Sequence, residues 1–358
     1  MTQATRSSPA LSGIQLLRAI AATAVIVAHV QYDFGHRQSL PFLLPSWLGG
    51  FGAGVHLFFV ISGFIMVYSS ERLFGRPGGS VEFLSRRIAR IVPIYWTVTT
   101  LMLGYDLARG FAAADTSMSL VINSYLFIPF PRPSGEMGPL YGVGWTLNYE
   151  MFFYVIFSIS LLATRTIAIC GIIGILIMFS LIHAVSADLP LPFRFWFDPI
   201  ILEFALGMGL GVIYQANIRV PDFAGVLLLL AAFAGFYWTL TPGHMALPSW
   251  IGLGIPSLLM LAAVSLTKTP FNFPLANKLG DASYAIYLVH PIVIAIARKV
   301  AARGYLEPSA FPWIYLIGIV TVSVGAALFV HEYFERPVTA RFRNWLLSSP
   351  RRLATRRI

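Results

Sequence analysis

Apolar residues run through this chain in long stretches, near 14–31, 53–70, 91–108, 141–163, 166–185, 198–215, 222–240, 249–267, 282–302 and 312–331. Proline and glycine punctuate the gaps, as at Pro41, Pro45, Pro77-Gly78-Gly79, Pro131, Pro133, Pro190, Pro192, Pro242-Gly243 and Pro270. At about 1.5 Å per residue, most of these stretches are long enough to cross a hydrocarbon core of ~30 Å. The pattern predicts an all-α integral membrane protein of about ten transmembrane helices. It shows no internal repeat, low-complexity segment or soluble domain. The longest connection, 109–140, has the size of a lid or a substrate-facing surface.

Composition supports a lipid solvent. Of 358 residues, 57% are hydrophobic and only 11% charged, against about 25% charged in an average soluble domain. The net charge of +10 sits at the ends of the apolar runs, which fits topology signals and anionic lipid better than nucleic acid. With a cytoplasmic N-terminus and ten alternating spans, 18 basic residues fall inside and 7 outside. That bias predicts both termini in the cytoplasm. The Arg298, Lys299 and Arg303 cluster fits this scheme worst. The expected organisation is a tail over 1–12, a transmembrane domain over 13–335 and a basic tail over 336–358. Ile14–Val30 reads as a retained first helix rather than a signal peptide. Cys170, the single cysteine, permits no intramolecular disulfide and reads as a buried inert thiol.

Ionisable side chains inside spans cost about 2.5–3.5 kcal/mol each on insertion scales, so they point to function. Arg18 and His29 lie eleven residues apart on the first helix. They therefore share a face, separated by about 16 Å in depth. Arg18 is a topology anchor or a site cation. His29, toward the outer end, is an interfacial residue or a base. Glu150, at the outer part of the fourth predicted helix, falls at similar depth and is expected to pair with His29 if those helices touch. Arg86, Arg87 and Arg90, followed by Tyr95 and Trp96, precede the third predicted helix. They are a positive-inside cluster or a seat for the phosphates of a donor such as a nucleotide thioester. His290, followed by Pro291, lies where a broken helical ladder can open a polar pocket. His56, Trp145, Asn148 and Ser62 complete the polar set, and Glu203 reads as structural. Gly49, Gly50, Gly52 and Gly54 read as a flexible turn. No nucleotide-binding glycine loop, zinc spacing or Gly-x-Ser-x-Gly elbow is found.

Six segments in order carry a family resemblance: Gln15-Leu16-Leu17-Arg18 with His29; Gly54-Val55-His56 through Ser62-Gly63-Phe64; Arg86-Arg87-Ile88-Ala89-Arg90 through Tyr95-Trp96; Gly144-Trp145-Thr146-Leu147-Asn148-Tyr149-Glu150 through Tyr154; Gly280-Asp281-Ala282-Ser283-Tyr284 through His290-Pro291; and Glu332-Tyr333-Phe334-Glu335-Arg336-Pro337. Together they resemble the membrane acyltransferase-3 family over about residues 12–343, and within it the ExoZ-type exopolysaccharide O-acetyltransferases.

The resemblance implies an O-acyltransferase of a bacterial inner membrane. It would move an acetyl group from acetyl-CoA to a sugar hydroxyl of a lipid-linked oligosaccharide, exopolysaccharide or other surface glycan. The family's first-helix Arg and His fall on Arg18 and His29, its Arg-x-x-Arg on Arg87 and Arg90, and its Trp-Thr-Leu…Glu on Trp145, Thr146, Leu147 and Glu150. In the expected site His29, Glu150 and Arg18 perform the chemistry. Arg86, Arg87, Arg90, Tyr95 and Trp96 hold the donor, and Trp145, Asn148, His56 and His290 meet the acceptor, without a metal. A different class, a transporter or flippase using the same buried groups as a pathway, stays open. The absence of an inverted repeat argues against it.

Overall fold

The computed structural model describes residues 9–37, 44–108, 117–132, 135, 137–186, 188–243, 247–269, 273–305 and 308–348. Within them the chain is helical. The α-helices are α1 (Pro9–Tyr32), α2 (Gly54–Ser69), α3 (Gly79–Ala108), α4 (Met118–Tyr125), α5 (Trp145–Ser160), α6 (Arg165–Val185) and α7 (Phe193–Trp196). They continue as α8 (Leu202–Gln215), α9 (Asp222–Leu240), α10 (Ile255–Leu266), α11 (Pro274–Asp281), α12 (Ser283–Ala302), α13 (Pro312–Val330) and α14 (Arg336–Ser348). Among the described residues there are no strands, only two isolated bridges, Pro131 with Met137 and Val220 with Thr267.

Among the described residues six helical segments are long and apolar enough to cross a membrane: Ser12–Gly35, Ser46–Ser69, Arg165–Val185, Asp222–Leu240, Ser283–Ala302 and Pro312–Ser348. Pro199–Gln215 and Trp250–Leu266 are apolar but shorter. Large apolar side chains stay uncovered on these helices, among them Leu227, Leu230 and Phe233 on α9 and Ile314 and Ile317 on α13. Only 11% of the apolar window of α9 is buried. Apolar faces of this extent are stable against lipid, and helices satisfy their own backbone there. The chain is thus a membrane protein.

The chain forms two compact units: residues 1–65 with 206–331, and residues 66–205 with 332–358. In the first, α1 is the central element. It packs against the Ser46–Ala53 helix, α10, α11, α12 and α13, and Ala22, Val25, Ile26 and Val30 on it are fully enclosed. Without a hydrophobic driving force in lipid, small residues and close backbone approach hold helices together. Two glycines show why. A Cβ on Gly54 would stand 2.5 Å from the Ala21 carbonyl oxygen, and one on Gly280 would stand 2.4 Å from that of Gln15. The glycine-rich stretch before α2 is therefore not a flexible turn. Ser46–Ala53 is 3₁₀-helical and leads straight into α2, and its last glycine is needed for packing.

In the second unit α3 packs against α4, α5 and α14, and α5 against α6 and α7. Aromatic contacts fill the centre. Phe83 meets Phe157 at 4.9 Å, Phe153 stacks on Phe204 at 4.3 Å, and Tyr149 stacks on Phe195 at 4.3 Å. Each such pair adds about 0.5–1.5 kcal/mol beyond simple burial. Ser117 caps α4, accepting from the Leu120 amide at 3.1 Å.

Three further expectations change. The third long helix begins at Gly79, not near 91, so Arg86, Arg87 and Arg90 lie on the helix and not before it. Cys170 is exposed on the apolar outer face of α6 and is not buried. The 109–140 connection contains α4 and the Pro131–Met137 bridge, while its 109–116 part lies outside the described residues. Beyond His331–Glu335, which is π-helical, the basic segment is helical through Ser348; residues 1–8 and 349–358 of the two tails lie outside the described residues.

Candidate functional site

Two histidines meet in the first unit. The ring of His29, on α1, lies 4.9 Å from that of His290, on α12, edge to face at 64°. Each ring is fixed by its own helix. His29 Nδ1 lies 2.9 Å from the Val25 carbonyl oxygen, and His290 Nδ1 lies 3.1 Å from that of Ile286, both four residues back. A carbonyl oxygen only accepts, so Nδ1 carries the proton in both rings and donates it. Nε2 keeps its lone pair. Pro291 leaves the Tyr287 carbonyl without its helical donor, and that carbonyl also acts on the His290 ring. His290 is fully buried and its Nε2 has no hydrogen-bond partner among the described residues. His29 is partly exposed. A partly exposed imidazole thus stands against a second, enclosed one.

Lower on α1, Arg18 Nη1 donates to Gln15 Oε1 at 3.1 Å, and the Gln15 amide nitrogen donates to Asp281 at the end of α11. The expected shared face of Arg18 and His29 is therefore lined by α11 and α12. His56 stands near the start of α2, partly buried, in this same unit.

The second unit holds the other expected residues. Arg87 is half-buried against aromatic faces: its guanidinium lies 5.3 Å from the Phe83 ring centre and 5.7 Å from that of Tyr154. Its Nη2 donates to Ser69 Oγ at 2.9 Å. Tyr154 donates its hydroxyl to the Glu150 carboxylate one turn earlier on α5. Arg87 feels the charges of Glu150, Arg90 and Arg86 together. Aromatic faces and a nearby carboxylate explain how an arginine sits inside a helix pair at all. Arg86 is exposed and joined to Glu82 at 2.5 Å. Glu150 and His29 lie in different units, and within its own unit Tyr154 is one partner of Glu150.

The polar atoms of Tyr95 and Trp96 are committed to α4. Tyr95 donates to the Ser124 carbonyl at 3.2 Å, and the Trp96 indole to that of Tyr125 at 2.9 Å. Trp145 meets Tyr149 edge to face at 6.0 Å. Asn148 is fully buried, and neither its amide nitrogen nor its oxygen has a partner among the described residues. Glu203 is fully enclosed. Sequence reasoning gave Gln15 and Tyr154 only as motif members, without a site role, and did not single out Asp33. Position four after a charged residue on a helix is the signal that finds Tyr154; Asp33 pairs across helices, which periodicity does not show.

The first unit thus holds two imidazoles in contact and the second an arginine covered by aromatic rings, within an apolar helical chain. The chain belongs to the acyltransferase-3 family: the acyltransferase domain of that family matches residues 11–331. The exopolysaccharide production protein ExoZ of Rhizobium meliloti (strain 1021) is 33% identical over 302 residues, covering 81% of this chain and 90% of the relative. The acyltransferase MdmB of Streptomyces mycarofaciens is 26% identical over 92% of this chain and 91% of its own length. The putative peptidoglycan O-acetyltransferase YrhL of Bacillus subtilis (strain 168) is 25% identical over 96% of this chain, but over only 57% of its own length. No solved structure matches. The chain is an acyltransferase, and the transporter reading has no support among these relatives.

Proposed function

We propose that this protein is an O-acetyltransferase of a bacterial inner membrane that moves an acetyl group from acetyl-CoA to a sugar hydroxyl of a surface glycan, held on a lipid carrier. The observation that carries the chemistry is the free Nε2 of His29, whose tautomer the Val25 carbonyl sets. It takes the proton of the acceptor hydroxyl as the oxygen bonds to the acyl carbon. The carbon–sulfur bond breaks, and the proton passes to the departing thiolate. Arg18, steadied by Gln15, offsets negative charge that develops on the acyl oxygen. An acetyl group trapped on His29 would assign a two-step route instead.

The donor's phosphates are the proposed ligands of Arg86, Arg87 and Arg90. Arg90 and Arg87 act on one another as like charges, and a phosphate between them relieves that repulsion. Asn148, Trp145, His56 and His290 are the proposed acceptor contacts. The exopolysaccharide-production relative supports a glycan acceptor.

Ten spans with both termini inside belong to this proposal. The six long apolar segments, the two shorter ones, the arginine-bearing α3 and the 16-residue α5 make up that number. The test supplies radiolabelled acetyl-CoA and lipid-linked oligosaccharide to membranes containing the protein. Label in the glycan supports the reading; acetyl-CoA that neither binds nor reacts would remove it.

A further inference from the structure

Arg298 is a topological misfit, a cation on the outer side of a chain whose positive charges favour the inside. Its surroundings explain it. Arg298 Nη1 lies 2.6 Å from Asp33 Oδ1, with the Asp33 side chain only 5% exposed and that of Arg298 29%. Asp33 opens a π-helical turn, Asp33–Arg37, at the end of α1. It falls four residues past His29, within about 40° of it in azimuth. Arg298 falls eight residues past His290 on α12. The pair thus joins the two helices that carry the two imidazoles, on the outer side of both.

Two charges withdrawn from water carry a large desolvation cost, and well-packed apolar residues hold two helices together as well or better. An ion pair does something that apolar contact does not: it fixes distance and direction, and so blocks sliding of one helix along the other.

We propose that Asp33 and Arg298 are positioning residues, a clamp that sets the spacing of the His29 and His290 rings. This rests on the reading that His29 performs the transfer. Release of the clamp lets α1 and α12 slip, and a displacement near 1 Å at a reacting group costs about a hundredfold in rate.

The experiment compares wild type, Asp33→Asn, Arg298→Gln and the reversed pair Asp33→Arg with Arg298→Asp, each as full-length protein in membranes at equal abundance. The expected result is a fall of about a hundredfold in kcat for each single variant, with the KM for acetyl-CoA unchanged and most activity restored by the reversed pair. A second readout needs no turnover: ethoxycarbonylation of His29 by diethyl pyrocarbonate, followed by mass spectrometry with His183 as internal reference. Its rate changes in the single variants and returns to the wild-type value in the reversed pair. Single variants that keep both wild-type kcat and the wild-type His29 rate would overturn the clamp. So would a folded reversed pair that behaves like the single variants. Wild-type membranes that transfer no label count against the function proposed above, and the modification rates then decide the clamp alone.

Discussion

His29 and His290 come from opposite ends of the sequence, yet their rings meet edge to face at 4.9 Å, each with Nδ1 spent on its own helix. This arrangement keeps the lone pair of each ring on Nε2, with His290 fully buried and His29 partly exposed beside it.

Replacement of His290 by Phe keeps a ring of similar breadth beside His29 but removes the unpartnered nitrogen. As the loss of an acceptor contact, this raises acceptor KM by about tenfold, the equivalent of roughly 1.4 kcal/mol, while the KM for acetyl-CoA stays the same. Steady-state kinetics with donor and acceptor varied in turn measure both quantities.

The three arginines of α3 separate by environment. Arg86 is exposed and its pair with Glu82 is superficial, so Arg86→Ala changes stability by less than about 1 kcal/mol and raises donor KM only slightly. Arg90→Ala raises donor KM by about tenfold, the equivalent of roughly 1.4 kcal/mol. Arg87→Ala also strips the cover from Phe83 and Tyr154 and lowers the melting temperature as well. Donor titration and thermal unfolding in detergent distinguish the three.

Asn148 tests whether a buried polar group is there for the ligand. Its amide has no partner among the described residues, so Asn148→Leu leaves stability unchanged or raised, since an unsatisfied buried amide costs about 1–3 kcal/mol. Acceptor KM rises in the same variant. Loss of stability without a change in acceptor KM would make Asn148 purely structural.

Close backbone approach at Gly280 predicts a packing defect. Gly280→Ala places a methyl group 2.4 Å from the Gln15 carbonyl oxygen and destabilises the protein by about 1–3 kcal/mol, seen as a lower melting temperature.

Apolar runs alone were enough to place most of the helices, because in lipid the backbone has no alternative partner. The start of α3 was hidden for a physical reason. Arg86, Arg87 and Arg90 look like an interfacial cluster, and nothing local says that Phe83 and Tyr154 will cover Arg87. The polar candidates were legible from the cost of burying them, His29 and His290 among them. Their partnership was not, because periodicity gives the face of a helix but not its neighbour. The expected neighbour of His29 was Glu150, at matching depth on another helix; its neighbour within its own unit is His290. Arg298 was an anomaly in a charge count until Asp33, one turn past His29, supplied its counter-charge.

The proposed chemistry turns on His29. The most direct measurement supplies radiolabelled acetyl-CoA and host lipid-linked oligosaccharide to membranes holding wild type or His29→Ala at equal abundance, and counts label in the glycan. The account predicts transfer by the wild type and a loss of about 10²–10⁴-fold in the variant, with acetyl-CoA binding intact. Equal transfer by the two would contradict it.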